Sequence, residues 1–214
     1  MNYFIVGDIH GCYHTLKKIL KHWEPDDAQL IFVGDYINKG KHSKEVVQYV
    51  RQLQKDYPST KCIMGNHEYQ MAQYIFNHTP KTQMKDNYKN TLTHYDLRNK
   101  FIDDAKWMRD LPMYYENGTL FVSHAGVNFL GFRKFNQDSR WSVLRFRGKL
   151  KKMKKLQVIG HTPTEVGKPV YMKKYHVLNV DAGAGNHDAL AAVLINKQGK
   201  LVKTYIEKVL KSDY

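Results

Sequence analysis

Short apolar runs that stop abruptly at glycine and a polar residue set the rhythm of the chain. Tyr3 to Val6 stops at Gly7-Asp8, Gln29 to Val33 at Gly34-Asp35, and Lys61 to Met64 at Gly65-Asn66. Each run has the length of a β-strand and little polar alternation, the pattern of strands buried in a largely parallel sheet. Between them, Leu16, Ile19, Leu20 and Trp23, and then Val46, Val47, Val50 and Leu53, recur at helical spacing, and Glu68 to Phe76 reads as a further helix. Strand and helix alternate, which predicts an α/β layered fold. Residues 79–110 are rich in Lys, Asn, Asp and Tyr with a weaker helical pattern, and read as a cap or insertion within one domain spanning 1–214. Strands return at Leu120 to Ser123, Leu156 to Ile159, Tyr175 to Val180, Leu190 to Ile195 and Leu201 to Ile206. Turn chemistry at Glu116-Asn117-Gly118 and at Asn196 to Gly199 predicts that this second half is mostly antiparallel.

With 214 residues, 42% of them hydrophobic, the chain can build one real core. The formal net charge of +14 favours anionic partners such as phosphorylated substrates, nucleotides, nucleic acid or acidic lipid, without choosing among them. Part of that surplus is the run Arg145, Arg147, Lys149, Lys151, Lys152, Lys154 and Lys155, read first as a solvated face and second as an anion-recruiting surface. Cys12 and Cys62 form no framework of spacings, which fits a reducing compartment. The N-terminal apolar run is too short for a signal peptide and no stretch reaches spanning length, so a cytoplasmic protein without a membrane partner is expected.

One event recurs five times: an apolar strand ends and a metal-capable side chain follows. The blocks are Gly7-Asp8-Ile9-His10-Gly11, Gly34-Asp35, Gly65-Asn66-His67-Glu68, Ser123-His124-Ala125-Gly126 and Gly160-His161-Thr162. The carboxyl ends of strands in an open α/β sheet converge on one crevice, which would bring these groups together. Carboxylate and amide oxygens beside imidazoles suit manganese, iron or zinc, and exceed what one tetrahedral ion needs. They match two divalent ions about 3.5–4 Å apart bridged by a carboxylate, a pair that activates a bridging water. His14, His22, His42, His78, His94, His176 and His187 lie outside the blocks and are read as structural, as is Glu68 at the start of a helix.

These five blocks, with Gly34-Asp35-Tyr36-Ile37-Asn38-Lys39-Gly40 as the full second one, occur in the order seen in the phosphoprotein-phosphatase branch of the calcineurin-like metallophosphoesterases, which the chain resembles. It is similar to bacterial and phage serine/threonine phosphatases and to symmetrical diadenosine tetraphosphate hydrolases. The resemblance implies a sandwich of two mixed β-sheets flanked by helices. It implies that Asp8, His10 and Asp35 hold one metal, manganese first, and that Asp35 bridges to a second held by Asn66, His124 and His161. His67 would protonate the leaving group. Asp181 would orient a ligand histidine. The implied activity is hydrolysis of phosphate monoesters, on phosphoproteins or small esters. The alternatives are symmetrical dinucleoside polyphosphate hydrolysis, for which the chain looks short, and a phosphate-binding relative of low activity.

Two positions depart from the family pattern Gly-Asp-x-Val-Asp-Arg-Gly. Asn38 stands where an Asp usually accepts a hydrogen bond from the acid histidine; its amide oxygen is expected still to accept but has no charge to stabilise an imidazolium, so a weaker or differently tuned acid is expected. Lys39 stands where an Arg usually forks onto phosphate, keeping the charge without the planar geometry. A second phosphate arginine is expected after His124, with Arg145 preferred over Arg140 and Arg133.

Overall fold

A computed structural model describes residues 1–95 and 100–214. Ten strands run in chain order: β1 (Asn2–Val6), β2 (Ala28–Phe32), β3 (Lys61–Cys62), β4 (Tyr114–Glu116), β5 (Leu120–Ser123), β6 (Leu156–Ile159), β7 (Val170–Met172), β8 (Val177–Asn179), β9 (Ala189–Ile195) and β10 (Leu201–Lys208). They form two five-stranded sheets, ordered β10-β9-β1-β2-β3 and β4-β5-β6-β8-β7. Both are mixed. In the first, β1, β2 and β3 run parallel while β9 and β10 are antiparallel.

Alternate side chains of β1 and β2 divide between two layers, as strand pleating requires. Ile5 and Ile31 face the second sheet, where they meet Leu120, Val122, Val158 and Leu178. Phe4, Val6, Leu30 and Phe32 face the other way, onto Leu16 and Ile19 of α1 (Tyr13–Ile19) and Val46, Val47 and Val50 of α2 (Ser43–Asp56). Each fully buried Val, Leu or Ile contributes about 1.5–3 kcal/mol, so this interdigitation, more than the short ladders, holds the layers face to face.

The second half is not the mostly antiparallel sheet that its turns predict. β5, β6 and β8 run parallel, and only the edge strands β4 and β7 oppose them. The hairpin β9-β10 does form at Asn196 to Gly199, but it joins the first sheet. The signal was in the patterning: β5 and β6 are buried at every position, which marks strands covered on both faces.

α3 (Asn66–Phe76) follows β3, and within residues 79–110 lie a 3-10 turn (Lys81–Gln83), α4 (Asp86–Thr93) and α5 (Lys100–Asp110), with α5 packed on α3. Part of the expected insertion, 96–99, lies outside the described residues. The last turn, Lys211–Asp213, folds back beneath α1: Asp213, fully buried, accepts from the backbone N–H groups of His14 (2.9 Å) and Thr15 (3.0 Å) and from the Thr15 hydroxyl (2.6 Å). Cys12 and Cys62 are separate buried thiols. Among the described residues no helix is long and apolar enough to cross a membrane.

Candidate metal centre

All five blocks lie at or just beyond the carboxyl ends of parallel strands: Asp8 and His10 after β1, Asp35 after β2, Asn66 and His67 after β3, His124 after β5 and His161 after β6. The backbone there is unusual. His10, Asp35, Asn38, Lys39 and His161 all adopt left-handed conformations, with φ between 49° and 72°. Non-glycine residues rarely do so, and such strain persists where surrounding structure enforces it. Much of that enforcement comes from Glu68, whose fully buried carboxylate accepts from the backbone N–H groups of Asp35, Tyr36, Ile37 and Gly65. Glu68 thus clamps the loop carrying Asp35 onto the start of α3, a tie stronger than its helix-start position suggests.

Asp35 is central. Its Oδ2 lies 3.3 Å from His124 Nε2, 3.6 Å from His10 Nε2 and 3.9 Å from His67 Nε2. The donor atoms of His10, Asp35 and His67 lie within 4.8 Å of one another, as do those of Asp35, His124 and His161. The two triads share Asp35. His124 Nε2 is also 3.2 Å from Asn66 Oδ1, so the amide faces the same point. Asp8 falls outside both triads: its Oδ2 accepts from the His161 backbone N–H (3.0 Å), and its Oδ1 is buried with no hydrogen-bond partner. Gly160 permits that approach, since a Cβ there would collide with Asp8 Oδ1.

The donor set fits divalent cations. His10 Nδ1 donates to Ile37 O and His124 Nδ1 to Val33 O, both at 3.0 Å, which turns each Nε2 lone pair toward Asp35. His161 Nε2 is buried and unpartnered. Burial pushes the His10 and His161 imidazoles down to about 3, keeping them neutral and ready to ligate. Burial and Asp181 push the Asp8 carboxyl well up, and burial and Asp35 push Glu68 up to about 7. For Asp35 burial acts upward too, but His124 and His67 outweigh it and hold the group well below the usual range. Burial lowers His124, but Asp35 and Asp8 carry it up to about 10. Crowded carboxylates compensated chiefly by His124, with His67 and His10 adding at Asp35, are what a bound cation would relieve.

His67 takes a different environment. Its Nδ1 receives a 2.6 Å hydrogen bond from Asn38 Nδ2, and its ring stacks on Tyr88 at 5.5 Å. Asn38 Oδ1 is engaged by the Thr91 hydroxyl of α4 (2.6 Å), which orients the amide. Thr91 and Tyr88 went unnoticed in the sequence; they sit in the weakly patterned 79–110 region, far from any motif. Lys39 extends beside His10, and a Cβ on Gly185 would press on its ammonium. Arg145 stacks over Tyr69 with Nε and Nη2 buried and unpartnered, while Arg140 lies over Trp141 and Arg133 over Phe132. Asp181 Oδ1 accepts from Gly183 N, and its charge acts on Asp8 and is felt by His124. Arg147, which sequence reasoning placed only in the basic run, donates to His161 O (3.2 Å) and Thr162 Oγ1 (3.1 Å).

Residues 1–192 match the family model described as calcineurin-like phosphoesterase. Among curated proteins, the symmetrical bis(5'-nucleosyl)-tetraphosphatase of Methylococcus capsulatus is 27% identical over 129 residues, 59% of this chain and 44% of that protein. The protein of the same name from Nitrosococcus oceani is 32% identical over 131 residues, again 59% and 44%. The matched stretch is therefore under half the length of those relatives. Among solved structures, a candidate diadenosine tetraphosphatase superposes with a TM-score of 0.69 at 19% identity, over 96% of this chain and 93% of that one. A protein serine/threonine phosphatase from Saccharomyces cerevisiae superposes with a TM-score of 0.66 at 17% identity, over 100% and 81%. At these identities the structures show a shared fold.

Proposed function

The chain belongs to the calcineurin-like phosphoesterase family, and from that premise we propose a dinuclear metal-dependent hydrolase that prefers a phosphoanhydride bond in a nucleoside polyphosphate, such as a symmetrical dinucleoside tetraphosphate. The observation that carries the chemistry is the sharing of Asp35 between two donor triads, in the first of which His67 is kept as the acid and Asp8, with its buried unpartnered Oδ1, is the ligand beside His10. In this reading Asp8, His10 and Asp35 hold one cation, and Asp35, Asn66, His124 and His161 hold the other. The bound pair, with manganese the first candidate, would supply an activated water and a clamp on phosphoryl oxygens. Lys39 and Arg145 bind and orient the phosphate.

The leaving group narrows the substrate. Because Asn38 donates to His67 Nδ1, the His67 proton resides on Nε2. Such an imidazole can hydrogen-bond a departing oxygen, but giving up its only proton would leave an imidazolate. A terminal phosphate, with its second pKa of about 6, departs without a proton from the enzyme; a serine or threonine alkoxide does not. The curated relatives carry names of that substrate class. The second reading, a serine/threonine phosphoprotein phosphatase, draws on the fold shared with the Saccharomyces cerevisiae phosphatase.

A panel with added Mn²⁺ separates the two: p-nitrophenyl phosphate, a phosphoserine peptide and diadenosine tetraphosphate, with Asp35→Asn and His67→Asn alongside. Preference for the dinucleotide, lost with metal in Asp35→Asn, supports the first reading. Preference for the phosphopeptide replaces it with the second.

A further inference from the structure

Beside the metal centre, Arg140, Trp141, Arg145, Phe146 and Arg147 line a cleft of about 310 Å³. Arg147 fastens one wall to the site through its bonds to His161 O and Thr162 Oγ1. No carboxylate lines the cleft, and among the described residues none of its three arginines is in an ion pair. Arg145 keeps two guanidinium nitrogens buried without a partner, a costly arrangement unless an anion arrives to accept from them. At the same mouth the rings of Trp141 and Phe146 stack at 5.5 Å and 22°, with the Arg140 guanidinium over the indole at 5.4 Å. Unpaired guanidiniums beside two flat apolar rings match a ligand that is part polyanion and part planar heterocycle.

We propose that this cleft is a subsite for the nucleoside half of the substrate. The base lies against Trp141 and Phe146, and the phosphates leading to the metal centre are held by Arg140, Arg145 and Arg147. The cleft is near the lower limit of small-ligand sites, about 300 Å³, so it seats one nucleoside and not two. Recognition of a ring face discriminates poorly among bases, so adenosine and guanosine compounds bind alike. This rests on the nucleoside polyphosphate reading of the same site.

The test uses the full chain with Mn²⁺ and two readouts. The first is equilibrium binding of ADP and of inorganic pyrophosphate. The second is the kcat/KM ratio of diadenosine tetraphosphate to p-nitrophenyl phosphate. Trp141→Ala weakens ADP about tenfold, an effect of the size of one lost stacking contact, with pyrophosphate shifted far less, and lowers the kcat/KM ratio by a similar factor through KM. Trp141→Phe, which keeps a ring, restores most of both, and Arg140→Ala weakens ADP and pyrophosphate together. ADP binding no tighter than pyrophosphate, or insensitive to Trp141→Ala, overturns the subsite, as does a phosphoserine peptide taking over that sensitivity. If ADP binding depends on Trp141 while the dinucleotide is not hydrolysed, the subsite stands and the substrate reading falls. Hydrolysis of the dinucleotide with a KM indifferent to Trp141 overturns the subsite and leaves the substrate reading standing.

Discussion

Replacing Asn38 by Asp is the sharpest probe of the site. The side chains are nearly isosteric, and both tolerate the left-handed backbone at this position, φ 72°. The Thr91 hydroxyl can still donate to Oδ1. What changes is the atom 2.6 Å from His67 Nδ1: an amide donor becomes a carboxylate acceptor. His67 is held below its ordinary value by burial, with Asp35 acting upward and Lys39 downward. A charged hydrogen-bond partner is worth roughly 1.5–3 kcal/mol in such a place, which stabilises the imidazolium by a factor of roughly 10–150. His67 then carries a proton on each nitrogen and can donate one completely. Turnover of an alkyl phosphate such as phosphoserine should rise by about one to two orders of magnitude, up to the low end of what a general acid usually contributes. p-Nitrophenyl phosphate and diadenosine tetraphosphate should change by no more than about twofold, because their leaving groups need no proton. The limb of the pH–rate profile on which the acid is lost moves to higher pH. The assay is kcat/KM across a leaving-group series from about pH 5.5 to 9 for both proteins, a range that brackets the ordinary histidine value. An unchanged dependence on leaving-group basicity would refute the assignment of His67 and the role given to Asn38.

Gly160→Ala should abolish tight metal binding, because the added methyl collides with Asp8 Oδ1; metal content after gel filtration should fall, while circular dichroism stays native. Asp213→Ala leaves two backbone N–H groups and the Thr15 hydroxyl without their acceptor and should cost about 2–4 kcal/mol, read from urea midpoints. For metal-free protein the pH dependence has a defined sign. His10 and His161, held at about 3, bind fewer protons folded than unfolded between about 3 and 6.5, so stability falls as pH drops through that window. Glu68, raised to about 7, acts oppositely between about 4.5 and 7, and so does Asp8, whose carboxyl is also held well up. His161→Gln removes one of these imidazoles and should flatten the loss of stability between about pH 6.5 and 5 in urea midpoints, and an unchanged profile would contradict its burial as a neutral base.

Much of this was readable in the chain because strand ends in a parallel sheet must converge. The glycine-flanked blocks located β1, β2, β3, β5 and β6, and with them Asp8, His10, Asp35, Asn66, His124 and His161. What stayed hidden depends on contacts between segments remote in sequence. Thr91 reaches Asn38 across 53 residues and Asp213 reaches Thr15 across 198, and neither carries a local pattern. The direction of β5, β6 and β8 does not follow from the turn residues; it follows from the absence of polar alternation in strands of three or four residues. The bond from Asp181 to the turn at Gly183 is likewise a matter of three-dimensional placement, with no pattern in the chain to announce it.

The donors divide between the two layers: Asp8, His10, Asp35 and Asn66 hang from the first sheet, His124 and His161 from the second. Cations seated among them would act as rivets through a seam otherwise closed mainly by aliphatic packing and a few hydrogen bonds. Loading would then strengthen the joint between layers more than either layer itself, so slow hydrogen exchange should spread along β5 and β6 when metal is added. Conversely, a loosening of the seam anywhere along its length would be felt first as a loss of grip on the ions.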